Sequence, residues 1–293
     1  WLSLFDVDRS CILDPLTQPL PFTPFKDFTG RSINEINLYS TEMSSALCSI
    51  DRVSASANMN NRLSEAIVEA YKSTNGAPIS FELMLKCYQS RMKDANNDDS
   101  ISSVLKQLVN AHIFESEDKV SLIDDSYIIK MDGYPKDGPI AKAIVYFLMS
   151  KLNNIYELLD KQAVNDEVVQ IRHFSIIDEA HYMLDFDNRP LRNLIAVGRN
   201  KGLSIILATQ NMSSFKSKGF DFYANAQYPL IMKQQTIDDK VIKDLFGVSG
   251  QELQEIRTAI AGLQKGELII KDQMAFALGM GNKYKKINVT HLI

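Results

Sequence analysis

One short stretch, His173-Phe-Ser-Ile-Ile-Asp-Glu-Ala-His181, constrains what this chain can fold into more than any other. A mostly apolar run ends abruptly in two adjacent carboxylates, Asp178 and Glu179. Short apolar runs of this kind read as buried strands of a parallel sheet, and open α/β sheets bind ligands at the carboxyl ends of their strands. The pattern therefore predicts a strand that delivers two acids to a ligand crevice. If the ligand is a nucleoside triphosphate, the first acid holds magnesium, directly or through water, and the second orients the attacking water, the Walker B arrangement. The complementary phosphate-gripping sequence, G-x-x-x-x-G-K-[ST], occurs nowhere in the 293 residues. The chain opens at Trp1 inside an apolar segment, so the expectation is a piece of a longer protein whose phosphate loop lies upstream.

A second stretch, Ala196-Val-Gly-Arg-Asn-Lys-Gly-Leu-Ser-Ile-Ile-Leu-Ala-Thr-Gln-Asn211, repeats the logic. A helix should end near Gly202, a residue suited to closing it, and the strand that follows should end in Thr209-Gln210. A right-handed strand–helix–strand crossover makes this strand parallel to the acid-bearing one and places Gln210 at the same sheet edge as Glu179. Glutamine carries both a donor and an acceptor, so it can span a γ-phosphate and the attacking water. Arg199 offers a planar fork suited to phosphate, and an arginine supplied across an interface is worth about 10³–10⁵ in rate. Arg192, seven residues earlier on nearly the same helix face, is a second candidate. The loop Ser213-Ser-Phe-Lys-Ser-Lys-Gly219 sets Lys216 and Lys218 beside an aromatic and a glycine, a composition suited to a nucleic-acid backbone. A plain solvated loop accounts for it equally well.

Three regions differ in texture. Residues 1–30 read as strand material followed by Asp14-Pro15 and the proline-rich Pro19–Pro24, expected to run extended across a surface. Residues 31–117 read as all-helical. Leu38, Met43, Leu47 and Ile50 mark one stripe, Leu63, Ile67 and Val68 another, and Ser80 is an N-cap before Phe81–Tyr88. From 118 to 293 strands and helices alternate, which predicts a mostly parallel sheet. Expected there are strands at Val120–Ile123 and Tyr127–Met131, a long apolar helix over Ile140–Asp160, and a helix begun by Pro190. Further along come a strand at Pro229–Met232 and a helical stretch over Asp238–Ile260. A closing hairpin is expected between Gly266–Ile270 and Met274–Leu278.

Composition narrows the function classes. Apolar residues make up 45% and charged residues 23%, the balance of an ordinary globular protein, and no apolar stretch is long enough to span a membrane. A net charge of −4 does not advertise nucleic-acid binding, so any such contact would come from a local basic patch. Cys11, Cys48 and Cys87 are scattered, as buried reduced thiols of a cytoplasmic protein would be. The four histidines lack zinc-ligand spacing.

The order Ile176-Ile-Asp-Glu-Ala-His181, Gly198-Arg-Asn-Lys-Gly202 and Ile206-Leu-Ala-Thr-Gln210 resembles the FtsK–HerA superfamily of DNA-pumping ATPases, which includes conjugation and type IV secretion motors. Ser126–Asp132 with the helix after it, and Asp14-Pro15 with Pro21-Phe-Thr-Pro-Phe25, resemble further segments of that family. His181 also invites comparison with DEAH helicases. Gln210 stands where those enzymes carry Ser-Ala-Thr, and no Gln-x-x-Gly-Arg-x-x-Arg follows, so His181 is expected merely to start a helix.

The resemblance implies an α/β, RecA-like P-loop NTPase sheet bearing an all-α insertion, in a fragment that starts after Walker A. It implies ATP and Mg2+ as cofactors, with Asp178 on the metal, Glu179 activating water, Gln210 sensing the γ-phosphate and Arg199 acting across an interface. The implied partners are double-stranded DNA and a ring of identical subunits, with no membrane. The most similar branch implies a motor of a phosphorothioation-dependent DNA restriction system, accompanied by other restriction subunits including a nuclease. A secretion or conjugation motor and a non-hydrolysing scaffold remain as alternatives.

Overall fold

The computed structural model describes residues 11–50, 55–94, 98–165, 168–184, 186–210, 212–217, 220–279 and 283–289. These fall into two compact units, one running to residue 175 with the return segment up to 206, the other comprising 176–184 and the chain from 207 onward.

In the first unit, β1 (Ile12–Leu13) pairs in parallel with β2 (Ile128–Ile129), Ile12 opposite Ile128. Between them run α1 (Ile33–Ile50), α2 (Ala57–Ser73), α3 (Phe81–Gln89) and α4 (Ser100–Ala111). Three of these helices start where a short polar side chain can satisfy an orphan amide. Ser56 accepts from Met59, Ser80 from Leu83, and Asp99 from Ser102, whose hydroxyl answers the Asp99 amide to close a capping box. The helical excursion leaves and returns at one place: Leu20 donates its amide to the Ile113 carbonyl and accepts from Glu115.

Most of the proline-rich run after the exposed Pro19 is buried, contrary to the surface path its composition suggests. The segment passes through bends at 21–22 and 24–25, and its prolines bring no amides that need partners, which lets the side chains between and after them point into a core. Leu20, Phe22, Phe25 and Phe28 are all buried. The Phe25 ring stands 4.9 Å from Phe81 of α3 and 5.6 Å from Phe147. Phe28 lies 5.1 Å from both Tyr39 and Tyr71. Edge-to-face pairs of this kind add about 0.5–1.5 kcal/mol each beyond their area burial. Phe147 belongs to α5 (Pro139–Leu158), which Pro139 starts at a position needing no amide partner.

The unit continues through a hairpin of β3 (Val164–Asn165) and β4 (Val168–Val169) to β5 (His173–Ile177), α6 (Arg189–Val197) and β6 (Leu203–Leu207), the last residues of both longer strands lying in the second unit. Several expectations need correction here. Val120–Ile123 is a turn, and β2 pairs with β1 instead of with it. Leu38 is 64% exposed, because the buried stripe of α1 runs through Ile36, Met43, Leu47 and Ile50. Strand β5 is not buried on both faces: Phe174 is 55% and Ile176 68% exposed.

In the second unit, β7 (Lys216–Ser217) and β8 (Phe220–Asp221) form an antiparallel hairpin followed by α7 (Phe222–Asn225). Next come β9 (Leu230–Met232), α8 (Asp239–Phe246), α9 (Gly250–Ala261), β10 (Glu267–Lys271), α10 (Gln273–Leu278) and β11 (Tyr284–Asn288). The sheet order is β11-β10-β9, antiparallel throughout, so among the described residues parallel pairing is limited to β1–β2, β5–β6 and the single bridge Leu20–Phe114 rather than dominating. Val241, Ile242, Phe246, Ile256 and Ile260 pack over Ile231 and Ile269.

The stretch 238–260 is two helices. Gly247, at φ +61°, closes α8 in the left-handed conformation, and Ser249 precedes α9. Met274–Leu278 is helical, because the Asp272 carboxylate accepts from the amides of Met274 and Ala275 and caps α10. The partner of β10 is β11 instead. Among the described residues no helix is long and apolar enough to cross a membrane.

The aromatic core of the first unit predicts an alkaline limit to stability. Burial pushes the Tyr39 phenol up to about 12 and raises Tyr71 and Tyr146 as well. A phenol whose folded pKa exceeds its unfolded value of about 10 stabilises the fold fully below that value, and the contribution is lost as pH climbs toward the folded one. Urea midpoints should hold up to about pH 10 and then fall, with tyrosinate absorbance rising in step with unfolding. Tyr39→Phe should shift that fall to higher pH.

Candidate active site

The site begins with a backbone ladder. Strands β5 and β6 are neighbours. At one end the Gly202 carbonyl accepts from the amides of Arg172 (2.7 Å) and His173 (3.2 Å). At the other, Ala208 donates to the Ile177 carbonyl (2.9 Å) and accepts from the Ala180 amide (2.8 Å). The pairing advances in the same direction along both strands, so they are parallel. Entry into β6 depends on Gly202, which sits at φ +82°; a Cβ there would lie 2.8 Å from the Gln170 carbonyl oxygen and 3.0 Å from the Arg172 nitrogen.

Asp178 and Glu179 follow β5 directly. The exposed Asp178 accepts the Glu179 amide at 2.9 Å through Oδ1. Glu179 itself adopts φ +51°, ψ +39°, a left-handed conformation that costs a non-glycine residue about 1–3 kcal/mol and survives only where its surroundings hold it. Those surroundings are visible. Gln210 Nε2 donates to Glu179 Oε1 at 2.6 Å. On the other side, His181 Nδ1 lies 3.4 Å from Glu179 Oε2 and 3.3 Å from Thr209 Oγ1. The buried Ala180 and Met183 anchor the 3-10 turn that carries His181.

The structure thus brings together Asp178, Glu179 and Gln210, and adds two residues whose contacts the sequence did not reveal. Thr209 was visible only as the neighbour of Gln210. His181 does start a short helical turn, as expected, but its imidazole also turns back toward the acid. The i, i+2 spacing of Glu179 and His181 across a tight turn was the only available hint.

Arg192 and Arg199 belong to the other compact unit. Arg192 forms an ion pair with Asp187 at 3.2 Å, and Arg199 is exposed on the 3-10 turn Gly198–Lys201. Lys216 lies on β7, while Lys218 falls outside the described residues. Asp178 suits magnesium as a hard oxygen donor. Among the described residues no group of three acidic, histidine or cysteine side chains could hold a metal ion alone. Magnesium generally keeps several waters and binds through one or two carboxylates plus substrate phosphates, which is the level of support this site offers.

No protein-family model matches the chain, and no curated protein matches it. Solved structures do. VirB4 of Thermoanaerobacter pseudethanolicus superposes with a TM-score of 0.64 at 16% identity, covering 96% of this chain and 76% of that one. The bacterial conjugative coupling protein TrwBdeltaN70, in complex with sulphate, gives 0.58 at 14%, covering 99% and 75%. The plasmid coupling protein TrwB, in complex with the ATP analogue ADPNP, gives 0.55 at 14%, again covering 99% and 75%. The chain therefore has the mixed α/β fold of RecA-like P-loop ATPase domains.

The Gly202 geometry yields a direct test. Gly202→Ala should destabilise the protein by about 1–3 kcal/mol in urea unfolding, through positive φ and backbone overlap together. Gly250→Ala, at φ +58° with open space around it, should cost less.

Proposed function

We propose that this chain is the nucleotide-hydrolysing part of a molecular motor that moves DNA. The observation that carries the proposal is the Glu179 carboxylate, held in a left-handed turn beside Asp178 and bound by Gln210 from the adjacent parallel strand. Likeness of fold to VirB4 and TrwB supports it.

Bound ATP with magnesium would supply an activated γ-phosphoryl group and the charge to stabilise its transfer. Asp178 would hold the metal, directly or through water. Glu179 aligns the attacking water and accepts its proton. Its Oε1 is engaged by Gln210, so Gln210 must release the carboxylate or share it before Glu179 can act. A Gln210 amide drawn toward a phosphate oxygen does this, which makes it a γ-phosphate sensor. Arg199 is the arginine we assign to a neighbouring subunit's nucleotide in a ring, and the stretch of sequence that carries Lys216 and Lys218 is the segment we assign to the DNA backbone.

For cargo, we favour duplex DNA handled in a phosphorothioation-dependent restriction system with a separate nuclease. The basis is resemblance: the 176–181, 198–202 and 206–210 segments resemble the FtsK–HerA superfamily, and within it the chain as a whole looks most like the C-terminal ATPase region of DptH, also called DndH. A second reading, a conjugation or type IV secretion motor, is favoured by the structural likeness to VirB4 and TrwB.

The test is ATP turnover by the full-length protein with and without duplex DNA. Glu179→Gln should lower turnover by about 10²–10⁴-fold, the usual contribution of a positioned general base, while ATP binding persists. Turnover equal to wild type in that variant would remove the assigned role. Stimulation by duplex DNA supports the DNA motor; stimulation confined to single-stranded DNA moves the assignment to the conjugation reading.

A further inference from the structure

We propose that Tyr223 is a positioning residue, tying the Gln210 end of β6 to the β7–β8 hairpin so that the state of the phosphate-sensing strand end sets the hairpin's position. The role deepens the motor reading and rests on it, but the contacts that carry it are independent of any nucleotide.

Met212 lies two residues beyond Gln210 and is buried in the core formed by Val241, Ile242, Phe246 and Ile231. The Tyr223 hydroxyl donates to the Met212 carbonyl. The chain between them is thereby closed into a loop at its base, with the hairpin inside it: Lys216 pairs with Asp221 and Ser217 with Phe220. Asp221 has a second task. Its carboxylate accepts the Ala224 amide at 2.9 Å and its carbonyl accepts Asn225 Nδ2 at 2.8 Å, so the last hairpin residue is also the cap of α7, which carries Tyr223.

Aromatic contacts stiffen the same loop. Phe215 lies 5.7 Å from Tyr223, and Phe220 lies 4.8 Å from Phe222. Tyr223 packs against the core beneath Met212. Burial, then the carboxylates of Asp238, Asp221 and Asp244, push its phenol above the ordinary value. A displacement of β6 at Gln210 therefore reaches the hairpin by two routes, through the chain and through one hydroxyl.

Tyr223→Phe removes that hydroxyl and leaves the ring packing in place. Hydrogen exchange of residues 216–221 is measured in wild type, Gln210→Ala, Tyr223→Phe and the double variant of the full-length protein. Gln210→Ala should change exchange of the hairpin by about fivefold or more, the low end of site-to-site coupling, and should change it by a markedly smaller factor when Tyr223 is already Phe. An unchanged hairpin in Gln210→Ala, or an equal Gln210→Ala effect in both backgrounds, overturns the proposal. In turnover assays Tyr223→Phe should keep DNA-free ATP hydrolysis within about twofold while DNA stimulation falls by about fivefold or more. Undiminished stimulation also overturns it. Glu179→Gln, assayed alongside, decides the motor reading separately, since the exchange cycle needs neither ATP nor DNA.

Discussion

Both backbone groups of Ala208 are engaged across the β5 side, its amide by Ile177 at the end of β5 and its carbonyl by Ala180 in the turn that follows, and the candidate site depends on that pairing. Side chains alternate along a strand, so a slip of one residue would send Gln210 to the opposite face and Thr209 into its place. With the register set, Thr209 meets His181 and Gln210 meets Glu179. The two contacts on Glu179 then decide whether its left-handed turn is tolerable. A hydrogen bond to a charged group is worth about 1.5–3 kcal/mol net, comparable with the 1–3 kcal/mol that the backbone conformation costs. The strained turn and the Gln210 contact thus stand or fall together, which is why the strand end, not the acid pair alone, defines the site.

A different constraint governs the first unit. Its four helices α1–α4 are held at the base by the segment through Leu20, Phe22, Phe25 and Phe28, which reaches Phe81 of α3, Phe147 of α5 and Tyr71 of α2. A surface strap could hold the excursion only by exposed contacts. A buried aromatic row holds it by area and ring geometry together. The prolines make this possible, since the residues they replace would have brought amides needing partners inside the core.

What was legible in the sequence was whatever depends on a few neighbouring residues. Ser80 caps α3, Pro190 opens α6, and Gly202 closes the turn before β6, each for a local reason. What was not legible depended on distant partners. Met274-Ala-Phe-Ala-Leu278 alternates in apolar size and reads as a strand, yet the Asp272 cap and the pairing of β10 with β11 leave it no ladder to join. The proline-rich run gave no sign of its burial, because the rings that cover it come from residues 39 to 147. The same holds at the site. The acid pair and Gln210 could be named in advance, while the turning of His181 toward both Glu179 and Thr209 could not.

The Glu179–Gln210 contact also bears on how such a site could report its ligand. A sensor must have two arrangements separated by a small free-energy gap, since a ligand shifts an equilibrium only by its differential affinity for the two states. The Gln210 amide donates here to a carboxylate, and the competing acceptor on the motor reading is a phosphate oxygen, also anionic. Exchanging one charged acceptor for another leaves the number and type of hydrogen bonds nearly constant, so the gap is small by construction. A lysine in this place would bind either anion as a point charge, whereas the amide pairs its donor with an acceptor fixed on the same plane. Turning the donor therefore moves the acceptor too, and the strand end that carries both continues directly into Met212 and the loop that Tyr223 closes.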